Sequence, residues 1–426
     1  MTNSGHDIPL FVDLDGTLLK TDTLFEAVLI LLKTNIFHCL SLLLWLTKGR
    51  AYLKHELSKR VNMPVASLPI NTAFLEYLRT QRKEQRELIL ISASNQKAVD
   101  EVNDHIKLFD AAFGSDEKVN LRGQKKLEKI KMLCGGNSFS YAGNSRDDLI
   151  IWNEASQAVL VNCDTKTMNL KTFKNTLEFD PPESTLKQLL KSVRPHQWLK
   201  NLLVFIPLIL SHQLLDTNLI SILLVTFVSF SLCASSVYLM NDLFDLTHDR
   251  GHLTKSTRPF ASGNLPIVVG LIAGPCLFIL GAVIAFYLPI NFLLIFFAYG
   301  LINFSYSFFL KRLFLLDVIT LACLYTLRII AGAESIELQA TNWLLGFSFS
   351  LFLGLAIVKR VAELFNVITS GNSEIQGRAY SKAHLNFLRS TGILSTAVAV
   401  SILAFYITDP ETIKLYTTPL ALWAIL

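Results

Sequence analysis

Four oxygen-bearing side chains in one short stretch have the spacing of a metal site. The stretch YLMNDLFDLTHDRG follows an apolar run, and on a helix these four side chains would share one face: Asn241, Asp242, Asp245 and Asp249. Carboxylates packed in this way repel each other and need a cation, and a set of oxygen ligands favours Mg²⁺ shared with a phosphate-bearing substrate. Lys255 and Arg258 follow closely enough to hold the same phosphates. The pattern predicts a diphosphate site, with a solvated helix end as the alternative.

A second set of polar side chains follows three apolar runs near the N-terminus. Ile8–Val12 runs into Asp13 and Asp15, Leu88–Ser92 ends in a hydroxyl, and Phe139–Gly143 runs into a polar loop. Short apolar runs of this kind are typical of buried parallel strands. Because ligands of open α/β sheets bind at the carboxyl ends of the strands, we expect these polar side chains at one edge of a sheet.

The N-terminal part resembles the haloacid dehalogenase superfamily, within its phosphoserine phosphatase-like branch. Asp13–Thr17 carries the D-x-D-G-T signature, Ser92 matches the second motif, Lys126 the third, and the stretch GNSRDD the fourth. The resemblance implies a Rossmann-like α/β fold with a helical cap and a Mg²⁺-dependent phosphatase activity. It also implies that Asp13 is the nucleophile and Asp15 the general acid and base, since Mg²⁺ masks the charges of carboxylate and phosphate.

The same resemblance implies which groups hold the phosphate and the metal. Ser92 and Lys126 would bind the phosphoryl oxygens. The metal ligands would be Asp13, Asp15, Asn144 and Asp148. Asn144 stands where the family usually has an aspartate, so Asp148, or its neighbour Asp147, would have to supply the missing charge. Three interpretations stay open: an active phosphatase, a degenerate domain that only binds, and aspartates that merely cap a helix.

The composition indicates two parts of different character. Hydrophobic residues make up 51% and charged residues 17% of the 426 residues, which is too apolar for an ordinary soluble protein and too charged for one embedded in a membrane throughout. We therefore expect a phosphatase-like domain at 1–178 with its cap at about 20–86, a linker at 179–190 around the stretch EFDPPEST, and an all-α multi-span membrane domain at 191–426. The six cysteines are isolated, which argues against a disulfide framework or a zinc site.

Two apolar stretches fall in the expected cap, at Val28–Leu32 and Ile36–Leu46. Each is too short to span a bilayer. They are expected either to pack within the cap or to rest on the membrane surface, and the sequence does not decide between the two.

Seven apolar segments are predicted to cross the membrane. They are Leu202–Leu215, Leu219–Met240, Ile267–Leu288, Ile290–Phe309, Leu313–Gly332, Trp343–Val358 and Ile393–Ile407. An eighth begins near Pro419 and reaches Leu426 without a polar flank, so we expect the sequence to be incomplete at its C-terminus.

The distribution of basic residues predicts the orientation. Lysines and arginines fall in alternate loops, whereas the stretches SHQLLDTN, LPIN and ESIELQATN have none and only Lys414 breaks the rule. The basic side of a membrane protein is cytoplasmic. The opening residues show no signal-peptide pattern, which also favours a cytosolic N-terminal domain. We therefore expect a multi-pass inner (plasma) membrane protein with the N-terminal domain and the basic loops in the cytoplasm.

From about Leu186 onward the chain resembles the UbiA superfamily of intramembrane transferases, whose first motif is N-x-x-x-D-x-x-x-D. The second aspartate-rich motif that aromatic prenyltransferases carry after the fourth span is missing. In its place stand YSFFLKRLFLLDV, beginning at Tyr306, and LRIIAGA, which contains Arg328. Together with RPHQWLKN, which contains Lys200, and KRVAEL, these stretches look like the branch typified by decaprenyl-phosphate phosphoribosyltransferase.

That branch moves phosphoribose from phosphoribosyl diphosphate to a polyprenyl phosphate with the help of Mg²⁺. Under this resemblance Lys311 and Arg328 are candidates for the acceptor phosphate, because an anionic acceptor would be repelled by a second carboxylate cluster. The other substrate-binding candidates are Lys200, Lys255, Arg258 and Tyr306. Lys311 and Arg312 could instead be topology residues and Tyr306 an interfacial aromatic, whereas an arginine inside a span is a functional candidate by default.

Two other functions stay open. Prenyl transfer from an isoprenyl diphosphate to an aromatic or other small acceptor would use the same metal face, although the missing second cluster counts against it. A transporter or lipid-binding scaffold with a regulatory phosphatase-like module is disfavoured because no inverted repeats are detectable. The expected partners are thus a polyprenyl phosphate, a phosphoribosyl or isoprenyl diphosphate and the bilayer, without nucleic acid. Adjacency in one chain suggests that the phosphatase domain dephosphorylates the transferase product.

Overall fold

The chain folds into two compact units. The computed structural model describes residues 8–35, 37–117, 119–163, 173, 175–179, 183–369 and 378–410. The first unit comprises the described residues of Met1–Val193 and Leu239–Ile272, and the second comprises those of Arg194–Tyr238 and Ala273–Leu426. The predicted eighth apolar segment, from Pro419, lies outside the described residues.

A parallel sheet forms the centre of the first unit. Its strands are β1 (Leu10–Val12), β2 (Leu88–Asn95), β3 (Ala111–Ser115), β4 (Ser140–Gly143), β5 (Gln157–Val161) and β6 (Thr176–Phe179). Their order across the sheet is β3-β2-β1-β4-β5-β6, and every neighbouring pair is parallel. β1 therefore lies between β2 and β4, so the three strands predicted from the sequence end side by side. The predicted N-terminal α/β fold is confirmed.

Helices cover both faces of this sheet. The helices that the structure describes before residue 194, including those of the cap, are α1 (Thr23–Thr34), α2 (His38–Thr47), α3 (Arg50–Arg60), α4 (Thr72–Lys83), α5 (Gln96–Ile106), α6 (Gln124–Leu133), α7 (Leu149–Trp152) and α8 (Thr185–Val193). Alternate strand residues face opposite sides. Leu10 and Val12 pack in the cluster that includes Phe74 of α4, while Phe11 packs in the one that includes Trp152 of α7.

The cap consists of α1, α2 and α3, which share a small core of their own. Leu31, Leu53 and Leu57 are buried in it, and Trp45 of α2 packs against it. The opposite face of α2 carries exposed leucines, among them Leu44. The apolar stretches of the cap thus supply both a packed inner face and an uncovered outer face. The helix α4 lies within the predicted cap range 20–86 but packs on the sheet.

The expected linker, 179–190, contains regular structure where it is described. Phe179 is the last residue of β6, and α8 begins at Thr185. The helix α8 belongs to the first unit. The division of the chain at this linker stays a prediction.

Long apolar helices make up most of the remaining chain. The helices are α9 (Ile206–Leu210), α10 (Thr217–Phe244), α11 (Leu246–Arg250), α12 (Ile267–Ala285), α13 (Ile290–Phe308), α14 (Leu316–Ser335), α15 (Asn342–Thr369) and α16 (Leu385–Thr408). Six helices in the described part of the chain are long and apolar enough to cross a membrane: α10, α12, α13, α14, α15 and the segment Lys382–Thr408 that contains α16. The chain is therefore a multi-pass membrane protein, as predicted.

The prediction of a membrane span at Leu202–Leu215 is wrong. This segment folds as the end of a 3₁₀ helix, Pro195–Phe205, followed by the short α9. It contains only 14 residues, while about 20 are needed to span a bilayer as an α-helix. The segment packs against α14 instead. At this contact a Cβ atom on Gly332 of α14 would lie 1.9 Å from the Val204 carbonyl oxygen. The missing side chain of Gly332 lets the 3₁₀ helix lie directly against α14.

The cap core provides a stability prediction with a matched control. Leu57 is 1% exposed and Leu44 is 65% exposed. Leu57→Ala should lower the free energy of unfolding of the first unit by about 2–5 kcal/mol, because it leaves a cavity in the cap. Leu44→Ala should change it by no more than about 0.5 kcal/mol. Thermal unfolding of the purified protein in detergent measures both, and equal losses would contradict the packing of the cap.

Candidate active sites

The first candidate site lies at the ends of β1, β2 and β4. Asp13 follows β1 directly and is buried, and the Nζ atom of Lys126 on α6 lies 2.9 Å from its Oδ1 atom. Ser92 is buried within β2, where its Oγ atom accepts a hydrogen bond from the Ser94 N–H at 3.1 Å. Asn144 follows β4. The sheet order therefore brings the four predicted motif positions to one edge.

Lys126 is surrounded by acceptors. Its Nζ atom donates to the Tyr141 hydroxyl at 3.0 Å and lies 3.9 Å from Asp148 Oδ1. Burial alone would lower the pKa of Lys126, but the Asp13 and Asp148 carboxylates outweigh burial and raise it. The lysine therefore stays charged and can stabilise negative charge next to Asp13.

Asp15 is held by side chains that the sequence analysis did not single out. Its Oδ1 atom accepts from the Thr23 N–H at 2.9 Å, and its Oδ2 atom accepts from the hydroxyls of Thr23, at 3.2 Å, and Ser94. Burial and the nearby Asp22 carboxylate together raise the pKa of Asp15 to about 6, against the hydrogen bonds from Ser94 and Thr23, which lower it. A raised pKa suits a group that alternates between acid and base. Ser94 lies two residues beyond Ser92 on the same side of the strand. This spacing was the sequence signal from which Ser94 could have been found.

Asp13 is also harder to ionise than an ordinary aspartate. Burial raises its pKa to about 6, the Lys126 charge lowers it, and the Asp148 carboxylate raises it again. A cation from the cap approaches the same region, since Lys54 of α3 donates to the Ala93 carbonyl oxygen at 2.5 Å. The Asp15 and Asp22 carboxylates act on the pKa of Lys54, although burial dominates and lowers it. Lys54 is thus a second cation beside the carboxylates, and no motif indicated it.

Both oxygens of Asp148 are already occupied. Oδ1 accepts from the Tyr141 hydroxyl at 2.6 Å, and Oδ2 accepts from Ser145 N and Oγ at 3.0 Å each and from Asn144 N at 3.2 Å. This arrangement fixes the loop that carries Asn144. Asp147 points elsewhere, because it is half-exposed and pairs with Arg122. The expected compensation for Asn144 therefore depends on Asp148 alone.

The second candidate site is the acidic face at the end of α10 and in α11. Asp242 and Asp249 are buried, while Asn241 and Asp245 are half-buried. α10 ends at Phe244, but the backbone bonds from Asp245 N to Asn241 O and from Asp249 N to Asp245 O, at 2.9 and 2.8 Å, continue the helical path. The predicted shared face therefore persists across the break.

One arginine bridges the two buried aspartates. Arg258 donates to Asp242 Oδ1 at 3.0 Å and to Asp249 Oδ2 at 2.5 Å. Lys255 Nζ lies 3.9 Å from Asp249 Oδ1. The two basic residues predicted to bind phosphate thus contact the two acids in the structure.

The donor set at this face fits Mg²⁺. Asp249 Oδ1 is buried and accepts no hydrogen bond, and a buried carboxylate oxygen without a donor is stabilised by a cation. Within the described residues, no three His, Cys, Asp or Glu side chains by themselves form a metal-binding group. Asn241 and substrate oxygens would therefore have to complete the ligand set, which is the usual manner of Mg²⁺ binding.

Arg328 is the centre of a polar cluster in the second unit. Its side chain is buried and donates to Asn201 Oδ1 at 2.9 Å, to the Leu324 carbonyl at 2.6 Å and to the Tyr299 hydroxyl at 2.7 Å. Its guanidinium also lies over the Tyr299 and Tyr325 rings. These contacts use three of its five N–H groups, so two can still bind an anion.

Lys200 belongs to the same basic region. Burial lowers its pKa, and the charges of Lys359, Arg328 and Arg194 lower it further. Arg194 in turn lies over the Tyr238 ring. Several cations that repel one another, without a carboxylate acting on Lys200, create a place where an anion is favoured.

Two other predicted substrate-binding residues, Tyr306 and Lys311, come from the same part of the chain as an aspartate that the sequence analysis did not single out. Asp317 is fully buried at the start of α14 and pairs with Arg360 at 2.8 Å and Arg378 at 3.2 Å. Tyr306 joins this group by accepting a hydrogen bond from Arg378 at 3.3 Å. Lys311 lies in the 3₁₀ turn Leu310–Arg312 just before it. The stretch YSFFLKRLFLLDV contained Asp317, but a lone acid next to basic residues gave no motif.

These features define a multi-pass membrane protein that carries a parallel α/β domain. The chain belongs to the UbiA prenyltransferase family, whose model matches residues 203–425. It is 34% identical over 421 residues to the uncharacterized protein y4nM of Sinorhizobium fredii, which covers 97% of this chain and 80% of that protein. It is 32% identical over 232 residues to decaprenyl-phosphate phosphoribosyltransferase of Mycolicibacterium smegmatis, which covers 53% of this chain and 72% of that protein.

The α/β domain also has a solved counterpart. A substrate-bound phosphoserine phosphatase aligns with 43% of this chain and 97% of its own length, at 14% identity and a TM-score of 0.30. The order of the strands and the positions of the four motifs at one sheet edge agree with the haloacid dehalogenase-like domain expected from the sequence. The enzyme is thus a transferase of the UbiA family with a parallel α/β domain at its N-terminus.

The Asp317 cluster provides a second stability prediction. Asp317→Asn should lower the free energy of unfolding of the second unit by up to about 3–5 kcal/mol, because the buried Arg360 charge then keeps only the half-exposed Glu363 carboxylate as its partner. The double variant Asp317→Asn/Arg360→Met should lose clearly less, because both charges are gone. Thermal unfolding in detergent distinguishes the two variants, and equal loss would show that Asp317 does not act through Arg360.

Proposed function

We propose that the part of the chain that matches the UbiA family, residues 203–425, transfers phosphoribose from phosphoribosyl diphosphate to a polyprenyl phosphate, and that the α/β domain then removes the sugar phosphate of the product. The observation that carries this proposal is the basic region around Lys200 and Arg328, because it suits an acceptor that is itself an anion. An uncharged aromatic acceptor would not need such a region. The similarity to decaprenyl-phosphate phosphoribosyltransferase of Mycolicibacterium smegmatis supports the same choice.

The diphosphate donor binds at the acidic face. Asn241, Asp242, Asp245 and Asp249 would hold a Mg²⁺ ion, which when bound would supply positive charge to neutralise the leaving diphosphate. Lys255 and Arg258 turn from the aspartates to the phosphate oxygens, since a diphosphate offers more negative charge than the carboxylates. The bond between the sugar carbon and the diphosphate oxygen breaks, and diphosphate leaves with the bonding electrons.

The acceptor phosphate binds to the basic residues of the second unit. Arg328, Lys200 and Lys311 bind the acceptor phosphate, one oxygen of which attacks the sugar carbon, where positive charge develops as the diphosphate departs. That oxygen forms the new bond to carbon. Catalysis is therefore mainly positional and electrostatic.

The α/β domain hydrolyses the phosphate ester that remains on the sugar. Asp13 attacks phosphorus while Asp15 gives its proton to the leaving sugar oxygen, and Ser92 and Lys126 hold the phosphoryl oxygens. Asp15 then takes a proton from the water that releases phosphate from Asp13. The contacts of Asp15 with Thr23 and Ser94, and of Lys126 with Asp13, support these roles.

The N-terminal domain and the acidic face lie on the cytoplasmic side of the inner membrane under this proposal. Residues 239–272 fold into one unit with the N-terminal domain, which supports a common compartment. The basic loops of the sequence fall on the same side by the charge rule.

One experiment tests the reaction as a whole. The full-length protein in nanodiscs is incubated with Mg²⁺, polyprenyl phosphate and phosphoribosyl diphosphate labelled in the ribose, and label is followed into lipid. Transfer of label supports the proposal. The alternative is prenyl transfer to an aromatic acceptor, which we consider because the chain belongs to the UbiA prenyltransferase family. Absence of lipid label, together with prenyl transfer from an isoprenyl diphosphate to an aromatic acid, would favour that alternative.

Asp245→Asn and Asp249→Asn should each lower transfer by about two orders of magnitude or more, because each removes a charged metal ligand. Transfer of ribose label into lipid measures the loss. Asp216→Asn is the matched control, since Asp216 only accepts backbone hydrogen bonds from Asn218 and Leu219 before α10. Turnover of Asp245→Asn equal to wild type would remove this residue from the site.

Lys200→Gln, Lys311→Gln and Arg328→Gln should raise the Michaelis constant for polyprenyl phosphate more than that for phosphoribosyl diphosphate, because a lost cation weakens binding of the acceptor phosphate. Steady-state kinetics with each substrate varied in turn measures the difference. Lys382→Gln, at an exposed position, serves as the control. Equal effects on both substrates would assign the residue to the donor or to the structure.

Asp13→Asn should abolish phosphate release by the full-length protein, whereas Asn144→Asp should preserve activity or lower the Mg²⁺ concentration it requires, since it adds a negative charge to the metal ligands. Phosphate release from phosphosugars at varied Mg²⁺ measures both. Asp100→Asn, on the surface of α5, is the control. An inactive wild type at saturating Mg²⁺ combined with an active Asn144→Asp variant would identify a degenerate binding domain.

A further inference from the structure

A cavity of about 500 Å³ opens beside the phosphatase-like site. Asp15, Gly16 and Asn144 line one side of it. Asn264, Ile267 and Val268 line another side, and all of these residues belong to the first unit. The cavity has the size of a small-molecule site. One wall therefore comes from the phosphatase-like domain and another from the membrane-domain sequence.

Close contacts hold these two walls together. Arg250, at the end of α11, donates to Glu26 of the cap at 2.5 and 3.1 Å, and both side chains are buried. Arg250 also donates to the Ala261 carbonyl oxygen at 3.2 Å, which ties the pair to the loop before the cavity. Gly263 adopts φ +78°, and a Cβ atom there would lie 2.6 Å from the Lys20 Cβ atom. The loop thus touches the phosphatase-like domain at a position where only glycine fits.

An unpaired hydrogen-bond donor in the cavity points to a ligand. Asn71 lines the cavity and is fully buried, and its Nδ2 atom has no hydrogen-bond partner among the residues that the structure describes. Its Oδ1 atom accepts from the Phe74 N–H at the start of α4, so the amide orientation is fixed. A buried N–H group without an acceptor is costly, and a sugar hydroxyl or phosphate oxygen would satisfy it.

The other polar groups in the cavity suit a sugar. The Asn144 and Asn162 amides can each donate and accept hydrogen bonds, and the Thr21 hydroxyl, which donates to Glu26, can accept one from a sugar hydroxyl. The opposite wall begins the apolar helix α12, which is long enough to cross a membrane. A headgroup bound here would therefore lie directly at the membrane end of that helix.

We propose that this cavity binds the phosphorylated sugar headgroup of a membrane-anchored lipid, with the lipid chain leaving along the first turn of α12. This inference rests on the proposed phosphatase function and adds where its lipid-linked substrate binds and by which path the lipid chain leaves the cavity. The phosphate monoester reaches Asp13 past Asp15, and Asn71 binds the sugar. Hydrolysis consumes one water, releases inorganic phosphate, and leaves the dephosphorylated lipid in the membrane.

The test compares two substrates with the full-length protein in nanodiscs. Phosphate release is measured from polyprenyl-phosphoryl ribose 5-phosphate and from ribose 5-phosphate. We expect kcat/KM for the lipid to exceed that for the free sugar phosphate by about tenfold or more. Equal values, or a preference for the free sugar phosphate, would overturn the inference.

Two variants separate the lipid chain from the headgroup. Val268→Trp should lower kcat/KM for the lipid substrate by about tenfold and that for ribose 5-phosphate by less than about threefold, because it obstructs the exit of the chain. Val283→Trp, an exposed position near the other end of α12, is the matched control and should change neither. Asn71→Ser keeps an oxygen for the Phe74 N–H and shortens the donor, so it should raise KM for both substrates.

Each remaining outcome is decisive. A Val268→Trp variant that loses both activities equally, or neither, contradicts an exit along α12 while leaving the phosphatase function standing. Absence of phosphate release from both substrates by the wild type, with lipid labelling intact, overturns the phosphatase function and this inference together.

Discussion

The contact of Arg258 with Asp242 and Asp249 is the interaction on which the acidic face depends. Two buried carboxylates seven residues apart repel each other, and a single guanidinium donates to both, at 3.0 and 2.5 Å. The pairing stabilises an acidic face that would otherwise open. It also keeps Arg258, the side chain that we propose to bind phosphate, at the site in advance, so a bound diphosphate would replace one set of anionic partners with another.

Other buried acids are likewise paired with a basic side chain. Asp13 is paired with Lys126, Glu26 with Arg250, and Asp317 with Arg360. In each case the cation comes from a different element of the chain than the acid. Such pairs give little net stability compared with apolar packing, since both charges lose their water. They do fix which elements meet, because only one arrangement satisfies both partners.

Local patterns predicted the parts of the fold and site that depend on neighbouring residues. Apolar runs followed by polar residues indicated β1, β2 and β4, and the four-residue spacing from Asn241 to Asp249 indicated one acidic face. The span predicted at Leu202–Leu215 failed because hydropathy does not distinguish a lipid-facing helix from a short segment packed against Gly332. Ser94, Lys54 and Asp317 were missed because their partners are distant in the sequence. Their significance comes from the tertiary contacts, which no local period encodes.

The contact between Glu26 and Arg250 bears on how the two proposed sites are arranged within one chain. Glu26 also accepts a hydrogen bond from Thr21 at 2.7 Å, and Thr21 lines the cavity beside Asp15. Arg250 directly follows Asp249, the last residue of the acidic motif. Hydrogen bonds therefore connect the wall of the phosphatase-like cavity to Arg250, the residue that follows the acidic motif in the chain. A fusion by a flexible linker would only raise the local concentration of product, whereas this contact fixes the position of one site relative to the other.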